Sequence, residues 1–134
     1  GFADIEPDLQ QESSVDVATA DFSVADLGAT RDLLDGDELA LQQLIRLFFS
    51  DFERNKQNLE HAQKKGDLTT VRNLAHSIKG SAGVFNAVGT VSAAQRLELA
   101  AKDGDAAGVK RELPLMLVEL GNLAGVLRRA RKSA

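Results

Sequence analysis

The chain holds two histidines, His61 and His76, and no cysteine, tyrosine or tryptophan, so any chemistry rests on few side chains. His76 is the informative one. It sits in Leu74-Ala75-His76-Ser77-Ile78-Lys79-Gly80-Ser81-Ala82-Gly83, inside a stretch whose apolar residues recur at helical spacing (Leu68, Val71, Leu74, Ala75, Ile78, Ala82, Phe85). On a helix advancing about 100° per residue, the mean direction of that stripe lies roughly 150° from His76. The imidazole therefore faces water, where it can act as a nucleophile, and is not a hydrogen-bonded core histidine. Gly80 at i+4 and Gly83 at i+7 share its face. Each glycine inside a helix costs about 0.8–1.0 kcal/mol relative to alanine. Two such costs beside one exposed histidine imply that side chains there would obstruct a partner closing over the ring. Lys79, at i+3, is a neighbour on the helix surface, with an ammonium placed to offset an anionic group carried on the imidazole.

Other chemistries fit less well. Ser77 follows His76 directly, and adjacent helical positions do not face each other, so a serine activated by His76 is not expected. His61 also points away from its apolar stripe, with Lys64 and Lys65 at i+3 and i+4, but lacks small residues on its face and reads as a solvated histidine. Two scattered histidines without cysteine make no transition-metal site. No Gly-x-x-x-x-Gly-Lys-Ser/Thr phosphate loop is present, so the chain shows no means of using ATP.

The elements that must position His76 are helical. A short helix is expected from about Val24 to Leu34, closed by Asp35-Gly36. A long one follows from about Asp37 to Lys65, with Leu41, Leu44, Ile45, Phe48 and Phe52 as its stripe, continued by Leu59 and Ala62. Gly66 stops it and Asp67 caps the next, which runs to about Phe85. Further helices are expected over about Val88–Lys102 and Asp105–Arg131, and Pro114 should start, kink or divide the last. No strand pattern and no repeat is visible. Short connections between amphipathic helices imply an all-α fold, an antiparallel four-helix bundle with a small additional N-terminal helix.

Charge divides the chain. Residues 1–38 carry eleven acids and one base, and residues 39–134 carry nine acids and fifteen bases. Residues 1–20 read as a flexible acidic linker and residues 21–134 as the bundle. The basic body would favour encounter with an acidic partner. Arg128, Arg129, Arg131 and Lys132 gather where they oppose the negative end of a helix dipole. Without Tyr or Trp to stack bases, they make no case for nucleic acid. No apolar run approaches the ~20 residues of a membrane span and no secretory pattern opens the chain, so the cytoplasm is the default.

The segment Ala75-His76-Ser77-Ile78-Lys79-Gly80-Ser81-Ala82 resembles the signature of histidine phosphotransfer (HPt) domains, in which an alanine-histidine pair precedes a Leu/Ile-Lys-Gly-Ser-Ala run. Leu97-Glu98 resembles the Leu-Glu pair of the family's following helix. Gly36-Asp37 with Leu44, Phe48 and Leu59 resembles the entry to its long first helix. The likeness covers roughly residues 24–130. Two features depart from the pattern: Phe85-Asn86-Ala87 stands where Leu-Gly-Ala is usual, and Pro114 lies in the last helix.

The resemblance implies a phosphocarrier, not a complete enzyme. His76 would accept a phosphoryl group from the aspartyl-phosphate of one receiver domain and pass it to a response-regulator aspartate. Lys79 would stabilise the phosphoryl group, and Arg72, Asn73, Ser77, Gly80 and Gly83 would form the docking face. No cofactor is implied beyond magnesium in the receiver, and the bundle is expected to be monomeric. With an acidic tether in front, the setting would be the C-terminal end of a hybrid sensor histidine kinase, at the cytoplasmic face of the membrane, with a freestanding carrier as the alternative. Two alternatives stand beside this. A histidine-kinase dimerisation and phosphoacceptor domain would carry Glu or Asp directly after the histidine, where this chain has Ser77. A helical adaptor would bind a receiver without taking up phosphate.

Overall fold

Among the described residues, four of the five helices begin on an aspartate whose side chain accepts a hydrogen bond from a backbone N–H three residues on. The computed structural model describes residues 24–132, so the linker expected over residues 1–20 lies outside the described residues. The helices are α1 (Leu27–Leu33), α2 (Glu38–Lys65), α3 (Leu68–Val84), α4 (Val88–Lys102) and α5 (Ala106–Ala130), with no strand among the described residues. Asp26, Asp37, Asp67 and Asp105 are the caps, at 2.9–3.1 Å from the N–H groups of Ala29, Ala40, Thr70 and Gly108. Each satisfies a donor that the first helical turn leaves without a partner. Helix α4 starts at Ala87 without a side-chain cap.

The bundle is the expected one, and its helix ends differ in two places. Helix α1 spans Leu27–Leu33 where Val24–Leu34 was expected, because Asp26 takes the capping position and leaves Ala25 buried ahead of the helix. Pro114 neither starts nor divides α5, which runs unbroken from Ala106 to Ala130. Both Pro114 and Lys110 are exposed, so the Lys110 carbonyl that loses its helical partner faces water. Gly66 ends α2 in the left-handed conformation, φ 72°, as a glycine there should.

The core is aliphatic in its middle, with Leu41, Ile45, Leu59, Val71, Leu97, Met116, Leu123 and Leu127 fully buried. Buried residues of α4 include Ala93, Ala94 and Ala101, small enough to bring its backbone close to both α3 and α5. A phenylalanine cluster closes one end: Phe48 stacks on Phe52 and meets Phe85 edge-on, with centroids 5.5 and 6.1 Å apart.

Helix α1 is fastened to the end of α3. The Asp26 N–H donates to the Phe85 carbonyl at 3.1 Å, and the buried Thr30 hydroxyl donates to the Val84 carbonyl at 2.8 Å. Asn86 Nδ2 donates to Thr30 Oγ1 at 3.0 Å. Asn86 itself is left-handed, φ 54°, where the resemblance expected glycine. Asparagine tolerates that conformation, so the departure from the pattern keeps the turn and adds a bond to α1.

Candidate functional site

The stripe that buries Val71, Ala75, Ile78 and Ala82 turns the opposite face of α3 to solvent. His76 lies on that face with 69 % of its side chain exposed. Arg72, Asn73, Ser77, Gly80 and Gly83 are exposed on the same helix. A Cβ built at Gly80 or Gly83 meets no heavy atom within 4 Å. The glycines are therefore not there to admit a neighbouring helix, which removes internal packing as their explanation.

The ring is not free to turn. Its Nδ1 lies 2.8 Å from Glu98 Oε2 on α4. The other carboxylate oxygen of Glu98 accepts from Lys79 Nζ at 2.7 Å, and Lys79 donates also to Gln95 Oε1 at 3.0 Å. Antiparallel pairing of α3 and α4 accounts for this arrangement: position 76 comes opposite 98 as 79 comes opposite 95, and both pairs are one turn apart. Leu97, fully buried beside Glu98, fixes the rotation of α4 that aims the carboxylate at α3.

Glu98 is the electrostatic centre of the group. The Lys79 ammonium holds its carboxyl below the usual carboxylate range, against an opposing effect of burial, and the His76 hydrogen bond adds to the lowering. A carboxylate only accepts, so Nδ1 carries the imidazole hydrogen and Nε2 keeps the lone pair. The arrangement thus presents an outward-facing nitrogen nucleophile whose partner anion can balance positive charge developing on the ring.

The structure thus places every sequence-predicted site residue on one helix, α3, with Lys79 half-buried and the others exposed. His76 and Lys79 are brought together through Glu98, and Ser77 has no part in holding the ring. His61 is exposed near the far end of α2. Glu98 and Gln95 had no assigned role in the sequence; the Leu97-Glu98 pair was the available signal, and its meaning depends on the α3/α4 register.

Beside this face, α2 and α3 border a solvent-open groove. Leu44, Leu47 and Asp51 line it from α2, and Ile78, Ser81 and Val84 from α3. Leu47 and Val84 remain 60 % and 40 % exposed.

The bundle presents a solvent-facing histidine held by a carboxylate from the next helix. A family model for the Hpt domain matches residues 43–129, well over half of the chain and all of the site. The chain belongs to the Hpt domain family, whose members carry phosphoryl groups in two-component systems and meet receiver domains. No curated protein and no solved structure matches it. Among the described residues, no helix is long and apolar enough to cross a membrane.

Proposed function

We propose that His76 accepts a phosphoryl group from the aspartyl-phosphate of one receiver domain and delivers it to the aspartate of a response regulator. The observation that carries this is the 2.8 Å contact between His76 Nδ1 and Glu98 on an exposed, glycine-flanked face. The Nε2 lone pair attacks phosphorus, an N–P bond forms, and the P–O bond to the aspartyl carboxylate breaks with its electron pair leaving on that carboxylate. No proton has to move, because Nε2 carries none and Nδ1 keeps its own. The phosphorylated ring is cationic, and Glu98 lies against the nitrogen that bears the charge. Delivery is the reverse sequence on a second aspartate. Magnesium and the remaining catalytic groups belong to the receiver, and this chain supplies orientation and a docking surface.

Lys79 donates to Glu98 and Gln95 while the histidine is unmodified, and its ammonium offsets the charge of the phosphoryl group. Arg72, Asn73, Ser77, Gly80 and Gly83 form the surface over which the receiver closes. The setting that fits the acidic residues in front is the C-terminal end of a hybrid sensor histidine kinase, on the cytoplasmic side. The test is incubation with a phosphorylated receiver followed by phosphorus NMR of the product. A single phosphohistidine species, substituted at Nε2, is expected. Receiver binding without any phosphohistidine would make the chain an adaptor, and substitution at Nδ1 would break the role given to Glu98.

A further inference from the structure

The register that sets His76 opposite Glu98 and Lys79 opposite Gln95 also fixes what stands one turn nearer the start of α3. Arg72 is four residues before His76, and Lys102 is four residues after Glu98, so the two cations come level across α3 and α4. On the other side, the turn at Gly66 joins Lys65 to Leu68, and four residues along each helix His61 of α2 comes level with Arg72. Arg72 and Lys102 are both exposed, and among the described residues neither takes part in a hydrogen bond or an ion pair. The positions three and four residues from Arg72 on its own helix hold Leu68, Thr69, Ala75 and His76, none of them an acid. Glu98, the acid that α4 brings to this face, is already shared by His76 and Lys79. Like charges placed level without an anion between them repel, so the bundle gains nothing from this pairing.

We propose that Arg72 binds the phosphoryl group itself, its guanidinium donating to the oxygens of a phosphoryl carried on His76 Nε2. The proposal rests on the phosphohistidine reading above and names the residue that receives the new charge. Side chains on a helix lean toward its N-terminus, so the His76 ring lies over the turn that holds Arg72. Nδ1 is engaged at Glu98, which leaves the phosphoryl on the ring nitrogen that faces outward. The Cβ atoms of residues 72 and 76 are about 5–6 Å apart, a span that an arginine side chain covers. The guanidinium fork matches two phosphate oxygens at once.

Lys79 stands differently. Its side chain is 25 % exposed and donates to both Glu98 and Gln95, so its charge is divided between Glu98 and whatever the ring carries. Arg72 has no such competitor. With the histidine unmodified it has no anion to bond, and with a phosphoryl group in place it supplies a whole charge from the opposite side of the ring to Lys79. Lys102, level with it, adds to the positive field there.

The test phosphorylates the full chain without a receiver, using phosphoramidate, a small donor whose P–N bond breaks as ammonia leaves. Phosphorus NMR then follows the second ionisation of the phosphoryl group as pH is varied. A guanidinium bonded to the group favours its dianion, so Arg72→Ala should move the midpoint up by about half a pH unit, roughly a threefold change on the scale of an exposed ion pair. Lys110→Ala removes an exposed cation from α5 and should leave the midpoint at the parental value. Arg72 is exposed, so Arg72→Ala should keep parental helical content. A parental midpoint in folded Arg72→Ala overturns the proposal even where transfer from a receiver slows, because Arg72 then serves docking alone. An equal shift in Lys110→Ala overturns it too, by assigning the effect to the general field of the basic body. Absence of any phosphohistidine in the parent chain would instead defeat the reading of His76, and the proposal with it.

Discussion

Alanine at position 80 adds one methyl group to the surface of α3, and it should make the protein more stable and a worse phosphocarrier. The position is inside the helix, and the new Cβ meets no heavy atom within 4 Å. Helix propensity therefore acts unopposed, at about 0.8–1.0 kcal/mol for glycine to alanine. For a domain of this size, about 1 kcal/mol moves the melting temperature by roughly 4 °C. Gly80→Ala should accordingly melt about 3–5 °C above the parent. The same methyl stands one turn from His76 on the face a receiver must approach. Single-turnover transfer from a phosphorylated receiver should slow for Gly80→Ala and slow further for Gly80→Gln, with both proteins folded. Gly83→Ala should show the same stabilisation with a weaker effect on transfer, being further from the ring. Paired melting curves and rapid-quench kinetics read both quantities. A Gly80→Ala protein that melts below the parent, or that is stabilised and transfers at the parental rate, would refute the reasoning.

Glu98→Gln keeps an acceptor for Nδ1–H and removes the charge; hydrogen bonds to charged groups exceed neutral ones by about 1 kcal/mol, so transfer to His76 should slow about fivefold with helical content unchanged, and a parental rate would exclude Glu98 from orienting the ring. Lys79→Ala should shorten the lifetime of the phosphohistidine while changing stability by no more than about 1 kcal/mol, and equal lifetimes would make Lys79 a surface cation only. Acid should unfold the bundle through its carboxylates. Glu38, Asp67, Glu98 and Glu112 are all held below their usual range, mainly by bonds from Gln42, Thr70, Lys79 and Arg96 respectively. Their stabilisation is present above the unfolded values and is lost as pH falls through the lowered ones. The melting temperature should then be flat from about pH 7 to 5 and fall below about pH 4, and a rise there would contradict the assignment.

The helices were legible because their ends are written in local chemistry. Aspartates 37, 67 and 105 and glycine 66 mark starts and stops that act within one turn. Asp26 was harder to place, since Val24 and Ala25 extend the apolar pattern ahead of it, and only burial of Ala25 shows that the helix begins later. Pro114 left its consequence open between starting, kinking and dividing the helix, and the helix neither starts there nor divides. The cost of the proline depends on whether the orphaned carbonyl reaches water, which is set by the exposed face of α5 and not by the residue type. At the site, exposure of His76 and the open glycines follow from a single helix and could be read directly. The Glu98 contact requires the rotation and register of α4 against α3, fixed by Leu97 and the small residues around it. That information lies in packing between helices, so the spacing within each could not supply it.

The central claim, that His76 carries the phosphoryl group, is tested most directly by mapping the modified residue after incubation with a phosphorylated receiver, in the parent and in His76→Gln. The ring is exposed, so the variant should keep its fold and melting temperature. The account predicts one labelled peptide in the parent, containing His76, and no label on His76→Gln. Label persisting on a folded His76→Gln protein, or found on the peptide containing His61, would contradict it.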